Sequence, residues 1–225
     1  MNKIHHHPDD ATLAAYAAGT LPAALALVVG CHLEYCEECM EKVRHAEAMG
    51  GSLLDDAPAP TVTQSARDAM LARLDALSSE SATTVAAPTL DSAPQPGTQE
   101  RKLPRKLQRL LKGAALDDQA WKSAGKGVRV LKLECNEGNA ILLDIMPGHA
   151  VPAHSHKGTE LTLILDGDYD DELGHFASGD VADLDSEAHH QPVAGSSGCL
   201  CLAGLDAPLK YEKLLPRLLQ PLFPI

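Results

Sequence analysis

The chain has 225 residues, 44% of them apolar, with a formal net charge of −12 and a pI near 5.3; this acidity disfavours direct binding to a phosphate backbone and suits a partner with basic surfaces. The length allows one large or two small domains with real cores, and aromatics at 3% argue against a stacking platform for single-stranded nucleic acid. Six unevenly spaced cysteines do not read as a disulfide framework and fit a reducing cytoplasm; no secretory signal is expected, because no apolar run follows a basic start.

Asp9 or Asp10 can cap a first helix, which runs through Leu13 and Tyr16 to about Ala18 and is ended by Gly19. Thr20 then caps a second helix with Pro22 in its first turn, and Leu25, Leu27, Val28 and Val29 form its apolar body. A membrane span is not expected here, since Gly19-Thr20-Leu21-Pro22 breaks the run and alanine dominates it. This helix or its successor continues through Val43 to about Met49, and Gly50-Gly51 is a break. A further helix fits Thr63 to Leu77, with Ala66, Met70, Leu74 and Leu77 at spacings of four, four and three; that face is either core or a partner-binding surface.

From Ser78 to Glu100 the chain becomes rich in Ser, Ala, Thr and Pro with no apolar period. This places a flexible linker at 81–100 between domains at 1–80 and 101–225. The first domain carries five basic and twelve acidic residues, a net charge of −7. The second opens with Leu103-Pro104-Arg105-Lys106-Leu107, a basic amphipathic stretch read as a solvated edge. Strands are expected at 128–133, 140–146, 161–165, 181–184, 199–202 and 209–211, separated by turns at Pro147-Gly148, Asp166-Gly167-Asp168 and Ser178-Gly179-Asp180. Many short strands at this spacing argue for a sandwich or barrel.

Two constellations carry chemistry. In the first, His32, Cys36 and Cys39 project from one stripe of a helix, Cys36 about 40° and Cys39 about 20° to either side of His32. Thiolate sulfur and imidazole nitrogen suit Zn²⁺, and a closed structural site needs a fourth ligand. His5, His6 or His7, at the entrance of the first helix, can supply it. The competing readings are three buried core side chains and a tag remnant at the N-terminus. In the second, His154 and His156 share strand parity and can point into a barrel, Glu160 shares it if the strand runs on, and His190 is the fourth ligand with His189 its competitor. Three imidazoles and a carboxylate hold several divalent metals, and the set alone does not choose among them. Its competing reading is a surface histidine cluster. Cys199 and Cys201 share a strand face, a poor geometry for a disulfide; they are candidate oxidation targets or core, and Cys31 and Cys135 read as core.

Gly148, five residues, His154, one residue, His156, three residues, Glu160, six residues and Gly167 resemble the first cupin motif with every spacing kept. Gly179 and His190 resemble parts of the second motif, with Ala177 where a proline is usual and the histidine placed later. His32, Cys36 and Cys39 with an upstream histidine resemble the zinc-binding anti-sigma domain, as does the segment from Ala14 to Leu21. In this order the two domains resemble the ChrR-type cupin anti-sigma factors across nearly the full chain.

The resemblance implies an N-terminal all-α zinc-binding helical domain followed by a C-terminal all-β cupin (jelly-roll) barrel. It implies a cytoplasmic regulator that binds one group IV (ECF) sigma factor, its helical domain wedged between the sigma factor's two domains. The cupin domain would release sigma in response to oxidants such as singlet oxygen or organic peroxide. By matching positions, zinc would be held by His7, His32, Cys36 and Cys39, with His5 and His6 still open as alternatives. A second zinc or other divalent ion would be held by His154, His156, Glu160 and His190. An acidic helical domain complements a basic, DNA-binding sigma factor. Cys36 and Cys39 are either structural or a direct redox trigger. The alternative function is a dioxygenase-like cupin metalloenzyme with an accessory helical zinc domain; a DNA-binding zinc module is disfavoured by the charge.

Overall fold

Local capping chemistry sets the first helix. The computed structural model describes residues 3–59, 61–80, 103–116, 119–207 and 210–211. Helix α1 (Asp10–Ala17) begins at Asp9, whose carboxylate accepts the Thr12 N–H, and stops at Gly19 with φ +68°. Helix α2 (Ala23–His32) follows Pro22 with no side-chain cap. Thr20, expected as that cap, instead donates its hydroxyl to Ala15 O at 3.1 Å and helps close α1. Helix α2 stops at His32, a short turn intervenes, and α3 (Glu37–Asp55) starts just after Cys36. The stripe expected on one helix is therefore bent across a helix–turn–helix. Helix α3 also runs through Gly50-Gly51, expected as a break; a helical glycine costs only about 1 kcal/mol relative to alanine, too little to stop a helix by itself.

Helix α4 (Gln64–Glu80) is capped by Thr63, whose Oγ1 accepts the Ala66 N–H. Met70 and Leu74 are 63% and 49% exposed, so this part of its apolar face is surface rather than core. The proposed linker at 81–100 lies outside the described residues. By packing, Met1–Gly51 groups with Arg101–Ile225 as one compact unit and Ser52–Glu100 forms another.

The β region comprises β1 (Lys122–Gly125), β2 (Val128–Leu133), β3 (Asn139–Ile145), β4 (His154–Ser155), β5 (Glu160–Asp171), β6 (Gly174–Ala177), β7 (Val181–Leu184), β8 (His189–His190), β9 (Val193–Leu205) and β10 (Lys210–Tyr211). One antiparallel sheet has the order β1-β2-β3-β9-β5-β6, with β7 also on β5; a second has the order β10-β4-β8. Strand β5 passes straight through Asp166-Gly167-Asp168, expected as a turn. Gly167 (φ +77°) absorbs the bend as a bulge, with register shifts on both sides against β9. A side chain there would collide with the Gly198 carbonyl.

Alternation along the strands sorts two apolar faces. Leu142, Leu161, Leu163, Leu200 and Leu202 point outward and are covered by Ala24, Leu25, Val28 and Val29 of α2. Ile141, Ile164, Tyr169, Cys199, Cys201 and Leu205 point to the other side, among the residues of the barrel interior. With both faces covered, β3, β5 and β9 read as continuous apolar runs rather than alternating ones. Helix α2 sits so close that a side chain at Gly204 would meet the Ala24 backbone, and Ala24 N donates to Glu137 O at 3.0 Å. The basic stretch at 103–107 is not a solvated edge. Helix α5 (Arg105–Leu110) buries Leu107 in the α2 cluster, and the Arg105 and Lys106 N–H groups donate to the Glu34 carboxylate at 2.9 and 3.1 Å. Among the described residues no helix is long and apolar enough to cross a membrane.

Candidate metal centres

The first cluster joins three pieces of the N-terminal segment. His32 comes from the last turn of α2, Cys36 from the turn after it, Cys39 from the first turn of α3, and His7 from the extended strap before α1. Cys36 Sγ and Cys39 Sγ lie 3.4 and 3.3 Å from His7 Nδ1, and His32 Nε2 lies 3.3 Å from Cys39 Sγ. All four ligand atoms fall within 4.8 Å of one another. A tetrahedral zinc, with bonds of about 2.3 Å to sulfur and about 2.0–2.1 Å to nitrogen, sets ligand–ligand edges of about 3.3–3.8 Å, and the three sulfur–nitrogen distances fall at the short end of that range. His32 Nδ1–H donates to Gly179 O at 3.0 Å, which fixes the tautomer and leaves the Nε2 lone pair facing the thiols. Burial pulls the His32 pKa down to about 4 against the opposing Gly179 carbonyl, so the ring is a neutral donor at pH 7. Burial, with Cys36 beside it, pushes the Cys39 thiol up to about 12, so a metal must displace its proton. Of the three N-terminal histidines, His5 is exposed and His6 lies against the Phe176 ring at 4.3 Å; only His7 enters the cluster.

The second cluster lies inside the barrel. His154 and His190 face each other across the β4–β8 pair, and Glu160 opens β5 on the interior face shared by Thr162 and Ile164. His154 Nε2 and His190 Nε2 are 3.1 Å apart, and His156 Nε2 is 3.0 Å from Glu160 Oε2. The Nδ1 atoms of His154 and His190 are committed to outer acceptors, Pro152 O and Asp171 Oδ2, each at 2.9 Å. With both Nδ1 atoms so engaged, the two Nε2 atoms converge on one point, where a single cation could take both. Beyond that contact with Glu160, no hydrogen-bond partner among the described residues satisfies the buried ring nitrogens of His156, which fits a cation-binding role for the ring. Burial alone would raise the Glu160 pKa; the His156 contact and the fields of His154, His156 and His190 outweigh it and hold the carboxyl at about 2. Thr162 Oγ1 donates to its other oxygen at 2.9 Å. His189, the competitor of His190, is exposed on the far side of β8. The cluster borders an apolar void of about 30 Å³, room for about one water molecule.

Sequence reasoning did not find the groups behind these ligands: Gly179, Asp180, Asp171 and Thr162. Asp180 stands out only as a turn residue and Gly179 as a turn residue and part of the second cupin motif, and nothing local in the sequence tells which distant atoms they meet. Cys199 and Cys201 are buried free thiols facing the interior beside Tyr169; Cys31, in the last turn of α2, is buried and Cys135 only partly so.

A family model described as the ChrR cupin-like domain matches residues 112–207. The chain is 39% identical over 226 residues to the anti-sigma-E factor ChrR of Cereibacter sphaeroides, covering 99% of both chains. It is also similar to a crystal structure described as Rhodobacter sphaeroides SigE in complex with the anti-sigma ChrR, with a TM-score of 0.73 and 37% identity, over 91% of this chain and 100% of that one. An identity of this size across the whole length, on a chain that carries both clusters, places it in a family: it belongs to the ChrR-type cupin-containing anti-sigma factors.

Proposed function

We propose that this chain binds a group IV (ECF) sigma factor one-to-one in the cytoplasm and holds it inactive, and that its cupin half releases sigma on an oxidative signal such as singlet oxygen or organic peroxide. It is a regulator rather than an enzyme. The observation that carries the sigma-binding part is the full-length similarity to an anti-sigma factor. The charge fits as well, since residues 1–80 are strongly acidic and sigma factors present basic DNA-binding surfaces.

In this reading His7, His32, Cys36 and Cys39 hold a structural zinc, which cross-links strap and helices. His154, His156, Glu160 and His190 hold zinc or another divalent ion that serves the sensor. The experiment is co-expression with each candidate sigma factor, followed by size exclusion and transcription assays with core polymerase. A 1:1 complex that blocks transcription until oxidant is added is the expected result; a chain with both metals bound that ignores every ECF sigma factor of its host overturns the reading.

Asp171 gives a narrower check on the second metal. Its Oδ2 accepts from His190 Nδ1, while its Oδ1 accepts the Leu173 and Gly174 N–H groups at 2.8 and 3.2 Å. Asp171→Ala frees the His190 ring and is expected to lower the affinity of the cupin cluster for divalent ions about 10–100-fold. Chelator competition measures this, and an unchanged affinity would show the ring to be fixed by packing alone.

A further inference from the structure

We propose that the β6–β7 turn, residues 177–180, is the outer shell of the His7–His32–Cys36–Cys39 cluster and that Asp180 is the residue that positions His7. This rests on the reading of that cluster as a zinc site. Asp180 is 2% exposed. Its Oδ1 accepts the His5 and His6 N–H groups at 2.7 and 3.0 Å, and its Oδ2 accepts the Ala177 N–H at 2.9 Å. The Val181 N–H donates to His6 O at 3.1 Å. Both polar groups of the His6 backbone are thus held by the turn, one residue before the ligand. The adjacent Gly179 carbonyl accepts from His32 Nδ1, the second ligand.

The turn is itself fixed. Gly179 N donates to Ile164 O at 2.9 Å and Ile164 N donates to Asp180 O at 3.0 Å, pinning it to the middle of β5. One four-residue segment of the barrel therefore orients two of the four ligands carried by the N-terminal segment. The sulfur ligands are set locally, the Cys39 N–H donating to Cys36 Sγ at 3.4 Å at the start of α3. A metal site requires its ligands to be held in place by partners behind them, and loss of one such partner costs about 10–100-fold in affinity.

A plain docking role for Asp180 makes a different prediction, and Asp183 separates the two. Asp183 also fastens the N-terminal segment, but its hydrogen bonds, from Asp9 N and Thr12 Oγ1 at 3.0 Å each, fall after His7 rather than on the strap before it. The experiment compares full-length wild type, D180A, D180N and D183A loaded with Co²⁺ and Zn²⁺. Thiolate-to-cobalt charge transfer reports the cluster with cysteines, because none of the four ligands of the cupin cluster is a thiol. D180A is expected to lose about 10–100-fold in affinity at that cluster with an altered cobalt spectrum. D180N, which keeps an oxygen for the two strap amides, should recover most of the loss, and D183A should stay near wild type.

An unchanged D180A, or a D183A that loses as much, overturns the proposal while leaving the zinc reading intact. A wild-type protein with no thiolate charge transfer overturns the zinc reading and the proposal with it. Should D180A fail to fold, hydrogen exchange at the His5 and His6 amides of the wild type reads the same contact: protection supports the proposal, and exchange at unprotected rates overturns it.

Discussion

Replacing Cys39 with serine is expected to release zinc from the helical segment, free α3 from its neighbours and abolish the grip on sigma. The reason lies in how little else holds α3. Across nineteen residues its buried side chains are Cys39 and Val43, and Cys36, just ahead of it, is a second thiol of the same cluster. The hydrophobic term from one valine and part of Met40 amounts to about 2–3 kcal/mol. Structural zinc sites contribute about 10–16 kcal/mol in small peptides at neutral pH. The metal is thus the dominant tie between the strap, the end of α2 and α3, and removal leaves a thiol and two imidazoles in a dry pocket. The loss should exceed the about 10–100-fold that follows from deleting a partner behind a ligand.

The pH dependence follows the same chemistry. Since the Cys39 proton must be displaced until the pH reaches about 12, apparent zinc affinity should rise about tenfold per pH unit for each thiol proton released. His32, already neutral above about pH 4, adds nothing to that slope at neutral pH. Metal analysis, circular dichroism and a pull-down with sigma check the variant. Full helicity and retained sigma binding in a verified zinc-free protein would show that packing, not metal, builds this surface.

What could be read in advance was chemistry repeated at short range. The spacing of His32, Cys36 and Cys39 survives the bend between α2 and α3, because a helix–turn–helix keeps neighbours in sequence close in space. The strands at 128–133 and 181–184 appear with the limits expected, but the strand parity that linked Glu160 to His154 and His156 does not apply, because β4 ends at Ser155 and Glu160 opens a separate strand, β5. What stayed hidden was decided at long range. Nothing near His5, His6 or His7 says which ring turns inward; Asp180 and Phe176, about 170 residues away, take the neighbours and leave His7 for the cluster. The seating of α2 on the sheet is equally remote, and it explains one misread stretch. Leu107 looked like a solvated edge because the helix that covers it, α2, belongs to the N-terminal segment on the far side of residues 81–100 in sequence. Asp166-Gly167-Asp168 looked like a turn because a bulge and a turn use the same glycine geometry, and only the partner strand β9 distinguishes them.

Replacing Glu160 with glutamine is expected to give the opposite phenotype to the cysteine variant: a regulator that still holds sigma and no longer lets go. Glu160 is the one anion among the four side chains of the barrel cluster and, with its pKa at about 2, stays ionised throughout the physiological range. Glutamine keeps the volume and can keep the Thr162 hydrogen bond through its carbonyl oxygen, so the sheet should fold. The lost charge leaves three imidazoles to face a dication in a site with little water, and divalent affinity should fall by more than the 10–100-fold, approximately, of a change behind a ligand. The cluster at His7, His32, Cys36 and Cys39 shares none of these side chains, so zinc there and the hold on sigma should persist. A promoter read by the cognate sigma factor then separates the two metals: constitutively active with Cys39→Ser, silent with or without oxidant for Glu160→Gln. If Glu160→Gln empties the barrel site and the promoter still responds to oxidant as in wild type, the sensor lies outside that site, and the thiolate cluster becomes the place to look for it.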